Sequence, residues 1–200
     1  MRNLFKAMVA VCVTSIWVEV SAGVITDFSW IPDLAYPTTT LTASTVLTDG
    51  TAVTLQSSDR GFYQSDTSAV VFDGFAGNTT LTMTFSRSVR EFRLRIFDLD
   101  LNAVNFESLS NFSATPDFVS GNLLLTDGMV LGTADNDRGD LNWNSLNENS
   151  VSFLYTRCNG CGLFLEEFEI NEVPEPTTLG LFAAGLAGLG FLSRRRKQAH

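Results

Sequence analysis

The residues with the most chemistry per position lie between 135 and 140, where the chain reads Asp135-Asn136-Asp137-Arg138-Gly139-Asp140. Three carboxylates and an amide around a glycine make an oxygen-rich set of the kind calcium takes, with Gly139 free to turn sharply. The downstream acid of an EF-hand is missing, and Asp, Asn and Gly also gather in solvated turns for purely local reasons. A solvated turn is therefore the simpler reading, with Asp135, Asp137 and Asp140 as the calcium ligands to test against it. Asp98 and Asp100 read as an acidic strand end. A second pair is Cys158-Asn159-Gly160-Cys161. Such spacing can bind zinc, exchange disulfides or close a small loop in an oxidising compartment. Zinc wants four ligands, and no second pair or usable histidine stands nearby. Asn-Gly followed by Gly162 reads as a tight turn between strands, so a structural disulfide or idle thiols is favoured. The sole histidine is His200, so Ser-His-Asp and Cys-His catalysis cannot be assembled. A glycosidase-like carboxylate pair stays formally available, but abundance of acids is not selection, and the chain reads as a non-enzyme with no cofactor beyond that calcium option.

Trp30, Tyr36, Phe62, Tyr63 and Trp143 could stack on sugars or complete a core, and large aromatics more often do the latter. Arg138-Gly139-Asp140 spells an integrin tripeptide by coincidence. Asn78-Thr79-Thr80 and Asn111-Phe112-Ser113 are sequons that mark exposed positions at most.

The elements that must position these groups are strands. Thr80-Leu81-Thr82-Met83-Thr84-Phe85 and Glu91-Phe92-Arg93-Leu94-Arg95-Ile96 alternate strictly, and Val151-Ser152-Phe153 continues the theme. Period-two alternation gives one buried and one wetted face. Leu81, Met83, Phe85, Phe92, Leu94, Ile96, Val151, Phe153 and Tyr155 should point inward. Turn signals at Asp49-Gly50, Asp73-Gly74, Gly77-Asn78, Asp127-Gly128 and Gly160 divide the runs. Short strands at that spacing predict an all-β fold, an antiparallel two-sheet sandwich of jelly-roll character, over residues 23–172. About 150 residues can bury a sizeable core.

Charge narrows the partners. From Gly23 to Pro176 there are seven arginines, no lysine and 21 acidic residues, a net charge of −14. Nucleic-acid binding rests on cationic side chains that displace counterions, so DNA and RNA are excluded.

Both ends read as addresses. Arg2 and Lys6 precede an apolar run from Ala7 to Val18, and Val20-Ser21-Ala22 supplies compact residues before a cut. This is a secretory signal over residues 1–22, with cleavage expected after Ala22. About 12 apolar residues reach only ~18 Å as a helix, short of the ~30 Å of bilayer hydrocarbon. At the other end, Val173-Pro174-Glu175-Pro176 is a stiff, extended stretch that can continue neither helix nor ladder. Residues 177–193 carry no charge and, as a helix of ~25 Å, just span a membrane. Arg194, Arg195, Arg196 and Lys197 then form a cytoplasmic stop, which puts the body on the far side of the inner membrane. Gly180, Ala184 and Gly188 suit either close helix contact or simply a short anchor.

The order Val-Pro-Glu-Pro, glycine-rich apolar stretch and arginine-rich terminus resembles the PEP-CTERM sorting signal of Gram-negative bacteria, over residues 173–197. That resemblance implies retention in the inner membrane until exosortase, a membrane-embedded cysteine transpeptidase, cuts at or near Pro174-Glu175-Pro176. The body would then pass to the cell surface or the extracellular polysaccharide. The stretch from Phe85 to Asp100 is similar to a strand pair of PEP-CTERM ectodomains, and a strand from Phe164 to Ile170 leads into the tail as theirs does. The expected role is a non-enzymatic envelope or biofilm component. The rival is a secreted carbohydrate-binding module, or a glycan hydrolase, on the same route.

Overall fold

The computed structural model describes residues 23–32, 40–58, 61–65, 68–72, 77–101, 106–157 and 161–172. The signal peptide, Tyr36, Cys158, the Pro-Glu-Pro segment, the anchor expected over 177–193 and the basic stop lie outside them. Among the described residues there is no helix, and none therefore long and apolar enough to cross a membrane. The strands are β1 (Val24–Asp27), β2 (Thr42–Val46), β3 (Ala52–Ser57), β4 (Tyr63–Ser65), β5 (Ser68–Phe72), β6 (Gly77–Leu99), β7 (Ser108–Ser110), β8 (Phe118–Val119), β9 (Leu123–Thr126), β10 (Met129–Gly132), β11 (Asp137–Trp143), β12 (Glu148–Arg157) and β13 (Gly162–Glu172).

β6 organises the rest. The two alternating runs, and all but the last residue of the stretch from Phe85 to Asp100 likened to a strand pair, fall in one strand of 23 residues. Between Phe85 and Glu91 the segment Ser86-Arg87-Ser88-Val89-Arg90 holds no Gly, Pro, Asn or Asp, and it stays extended without a turn. The strand instead changes which face is buried. Leu81, Met83, Phe85 and Val89 point inward at odd positions, then Phe92, Leu94 and Ile96 at even ones. A single inserted residue does this, because a slip of one moves every later side chain to the opposite face. The insertion shows as a register shift in the ladder to β13, where Asn171 faces Glu91 but Glu172 faces Val89. A second bulge lies at Asp98, whose φ of 69° and whose omission from the β11 ladder mark it as the extra residue.

The length of β6 also corrects the expectation of two separate sheets. Its first half pairs with β3 and β12, its second half with β11 and β13, all antiparallel. Hydrogen bonds thus run without a break through one 13-stranded sheet. The bulged β6 itself carries the ladder from one half to the other.

Both halves of β6 feed one core. The Phe85 and Phe92 rings meet edge to face at 5.5 Å; Phe92 also lies 5.1 Å from Trp143 and 6.5 Å from Phe168. Phe28, just after β1, closes on Phe168 at 5.4 Å. Every residue expected to point inward is buried. Each large apolar side chain so removed from water contributes roughly 2–3 kcal/mol, and aromatic pairs add about 1 more.

Candidate functional site

The acidic hexapeptide sits where β10 gives way to β11. Asp135 and Asn136 make the turn, Asn136 at a positive φ of 56° that Asn tolerates. The rest of the hexapeptide is strand. Asp137 is 3% exposed, and its Oδ2 accepts the backbone N–H of Ala134 at 2.6 Å and that of Thr133. Burial alone would raise this carboxyl. The Ala134 and Thr133 amides, with the Thr133 hydroxyl and Asn122, outweigh it and hold the group below its ordinary range. Asp140 is engaged elsewhere, taking Arg95 Nε at 2.8 Å and the Ser120 hydroxyl at 3.2 Å. Among the described residues the carboxylates of Asp135, Asp137 and Asp140 do not converge. Arg138-Gly139-Asp140 lies within β11, not in a presented loop. Gly139 is needed there because a Cβ would stand 2.0 Å from the Ser120 carbonyl oxygen.

Asp140 belongs to an ionic face that crosses three strands. Arg95 of β6 reaches Asp140 of β11 on one side and Glu167 of β13, at 2.9 Å, on the other. Arg93 pairs with Glu167 at 3.2 Å and Glu169 at 3.1 Å. Arg138 pairs with Glu166 at 2.5 Å and lies over the Phe97 ring. The alternation that sends Phe92, Leu94 and Ile96 inward sends Arg93 and Arg95 outward, which was readable in sequence; their partners were not.

A buried polar cluster was missed altogether. Glu107 is 0% exposed, accepts the Tyr155 hydroxyl at Oε1 and takes the Asp100 N–H at Oε2, 2.9 Å away. Burial pushes its carboxyl up to about 7, against the pull of those two donors. Asp98, in its bulge, is pushed up to about 6 by burial and then by Asp100. The fully buried Tyr155 hydroxyl is raised by the same burial and by Glu107. Arg157 is buried close by and donates to the Thr79 hydroxyl. One ligand atom each from Asp100, Glu107 and Cys161 lies within 4.8 Å of the others. Cys161, however, is disulfide-bonded and offers no thiolate to a metal, and Glu107 already has its two donors. The only advance signal was the acidic pair Asp98 and Asp100 breaking the alternation of β6.

The aromatic candidates are mostly structural. Phe62 and Trp143 are buried, and the Trp143 indole donates to the Ala114 carbonyl at 2.7 Å. Trp30 packs on the core and donates to the Asp27 carbonyl at 3.0 Å; Tyr63 is half-buried in β4.

The remaining candidates continue directly from β13, whose last residue, Glu172, still faces Val89 in the ladder. Val173-Pro174-Glu175-Pro176 therefore begins with no linker after the final strand. The PEP-CTERM protein-sorting motif matches residues 172–197, from that last strand residue to the end of the basic cluster. No curated protein matches the chain. Sorting of this type means export, membrane-associated passage toward the cell surface and processing by exosortase. The chain is a PEP-CTERM domain-containing protein.

Proposed function

We propose that the chain crosses the inner membrane of a Gram-negative bacterium on the signal of residues 1–22. The segment 177–193 and the stop Arg194, Arg195, Arg196 and Lys197 then hold it until exosortase cuts at Pro174-Glu175-Pro176. The body 23–172 reaches the surface or the extracellular polysaccharide as a non-enzymatic component of envelope or biofilm. The single observation that carries this reading is the match of the sorting motif to residues 172–197. Two features of the described body favour a structural role over sugar binding or hydrolysis: Phe62, Trp143 and Trp30 serve the core, and Asp137, Asp140, Glu167 and Glu169 are engaged by backbone amides or arginines.

Mass spectrometry of the exported product tests the route, with a C-terminus expected near Pro174-Glu175-Pro176; a chain extending past Arg196 contradicts it. A glycan array probed with the exported protein tests the role. Specific, saturable binding would replace the structural reading with that of a carbohydrate-binding module.

A further inference from the structure

The rim of the ionic face carries one group that its neighbours leave unanswered. Asn171, in β13, donates from Nδ2 to Glu91 Oε2 at 2.8 Å, which fixes the amide and turns its oxygen the other way. That Oδ1 is buried and, among the described residues, accepts no hydrogen bond. Buried acceptors are rarely left so, and an orphan of this kind asks for a donor. Beside it Glu169 gives Oε2 to Arg93 at 3.1 Å and presents its other oxygen to the same place. The two oxygens converge at Gly23: a Cβ there would lie 2.5 Å from Glu169 Oε1 and 2.8 Å from Asn171 Oδ1. Such separations forbid carbon. They are close to the roughly 2.7–2.9 Å of a charge-assisted N–H···O bond.

We propose that this pocket receives the α-ammonium of Gly23, created when the signal peptide is removed; the inference rests on the export reading above. Water adds across the Ala22–Gly23 bond, Ala22 leaves as a carboxylate, and Gly23 keeps an amine that is protonated at neutral pH. In the precursor this nitrogen is an amide tied to the chain before it. Once freed, a rotation of about 120° about the Gly23 Cα–C bond carries it from its own substituent position to that of the absent Cβ. There Glu169 Oε1 and Asn171 Oδ1 accept two of its three protons. Glycine is required twice, to leave the place empty and to turn freely. The ladder supports the site, since Val24 faces Ile170 and so brings Gly23 level with Asn171. Removal of the leader thereby pins the short strand β1 to β13, one residue before the sorting motif starts. The new positive charge answers part of a strongly acidic body.

The test uses the full chain, exported from a Gram-negative host and purified. Mass spectrometry first identifies its N-terminus, and trace acetylation of the α-amine is then followed against pH. Lys197 is the only lysine beyond the leader, so the amine signal is almost isolated. An ordinary α-amine titrates near ~8. The expected result is a chain beginning at Gly23 whose amine titrates at least one pH unit higher, and so labels at least about fivefold more slowly at pH 8. Glu169→Gln should return the rate to that of a free amine. An ordinary titration in the unaltered protein overturns the proposal without any variant, as does an unchanged rate in Glu169→Gln. A chain that begins at another residue after the leader overturns the clamp and leaves export standing. A chain still carrying Met1 overturns both.

Discussion

Two carboxyl groups are both shielded from solvent, Asp137 at 3% exposure and Glu107 at 0%, yet they end in opposite states. Asp137 is held below its ordinary range and Glu107 is pushed up to about 7. Burial opposes the charged form in both. Glu107 lies deeper, and the two also differ in what faces them. Asp137 closes a turn whose Thr133 and Ala134 N–H groups donate to its Oδ2. Glu107 faces one hydroxyl and one N–H, with Asp98 and Asp100 adding negative potential. A buried acid in this protein is thus a fixed anion where the chain turns and a proton store where strands meet.

The largest expected effect breaks that symmetry by pH. Glu107 has a folded-state value near 7 against an ordinary 4.5. Its stabilising protonated form is fully present below the unfolded value and is lost as pH rises through the folded one. Unfolding free energy should fall by about 3 kcal/mol between pH 4.5 and 8, with Asp98 acting in the same direction. Asp137 works the other way: its contribution is present above 3.8 and disappears as pH falls through its depressed value. A stability maximum near pH 4–5 follows. Urea titrations across pH 4–8 check it, with Glu107→Gln as the control. In that variant the amide oxygen can accept the Asp100 N–H and the NH2 can donate to the Tyr155 oxygen, as the protonated acid does, so its slope between pH 5 and 8 should flatten. A slope equal to that of the parent would place the linkage elsewhere.

The same contrast explains what could be read in advance. The sorting tail was legible because everything that defines it is local: two prolines, an uncharged run and a basic cluster in fixed order. The inward set of β6 was legible for the same reason. Its single-strand nature left a trace in the letters as well, in the lack of Gly, Pro, Asn or Asp between Phe85 and Glu91 and in the move from odd to even core positions. The strand pair expected over residues 85–100 came from resemblance, not from this pattern, and the change of parity went unread. The two-sheet expectation failed with it, since one strand long enough to serve both ladders leaves no seam. Glu107 had no local signal at all: its partner Tyr155 is 48 residues away, and an acid between Phe106 and Ser108 looks like any surface residue until the ladders bring β12 and β7 together.

A smaller effect is expected at the other pole. Asp137→Ala removes the acceptor of two backbone N–H groups in a turn that water can partly enter, so the loss should be about 2 kcal/mol at pH 7. It should also remove Asp137's share of the acid-side slope below pH 4. Urea midpoints at pH 7 and pH 3 decide the matter. A loss that stays equally large at both would mean that packing, not the carboxylate charge, matters at this position.

The smallest effect sharpens the comparison most, because the expected value is zero. If Asp137 is spent on the turn and Asp140 on Arg95, the hexapeptide has no set of free oxygens with which to replace the water around a divalent ion. With −14 over residues 23–176 the protein will still attract cations loosely, so the proper control is another divalent ion. Millimolar calcium should move the thermal midpoint no more than equal magnesium does, and chelator should leave it unchanged. A calcium-specific rise would require Asp140 to release Arg95. It would therefore vanish in Asp140→Asn and leave the Glu107 pH slope untouched, and that pattern alone would restore the hexapeptide as a metal site.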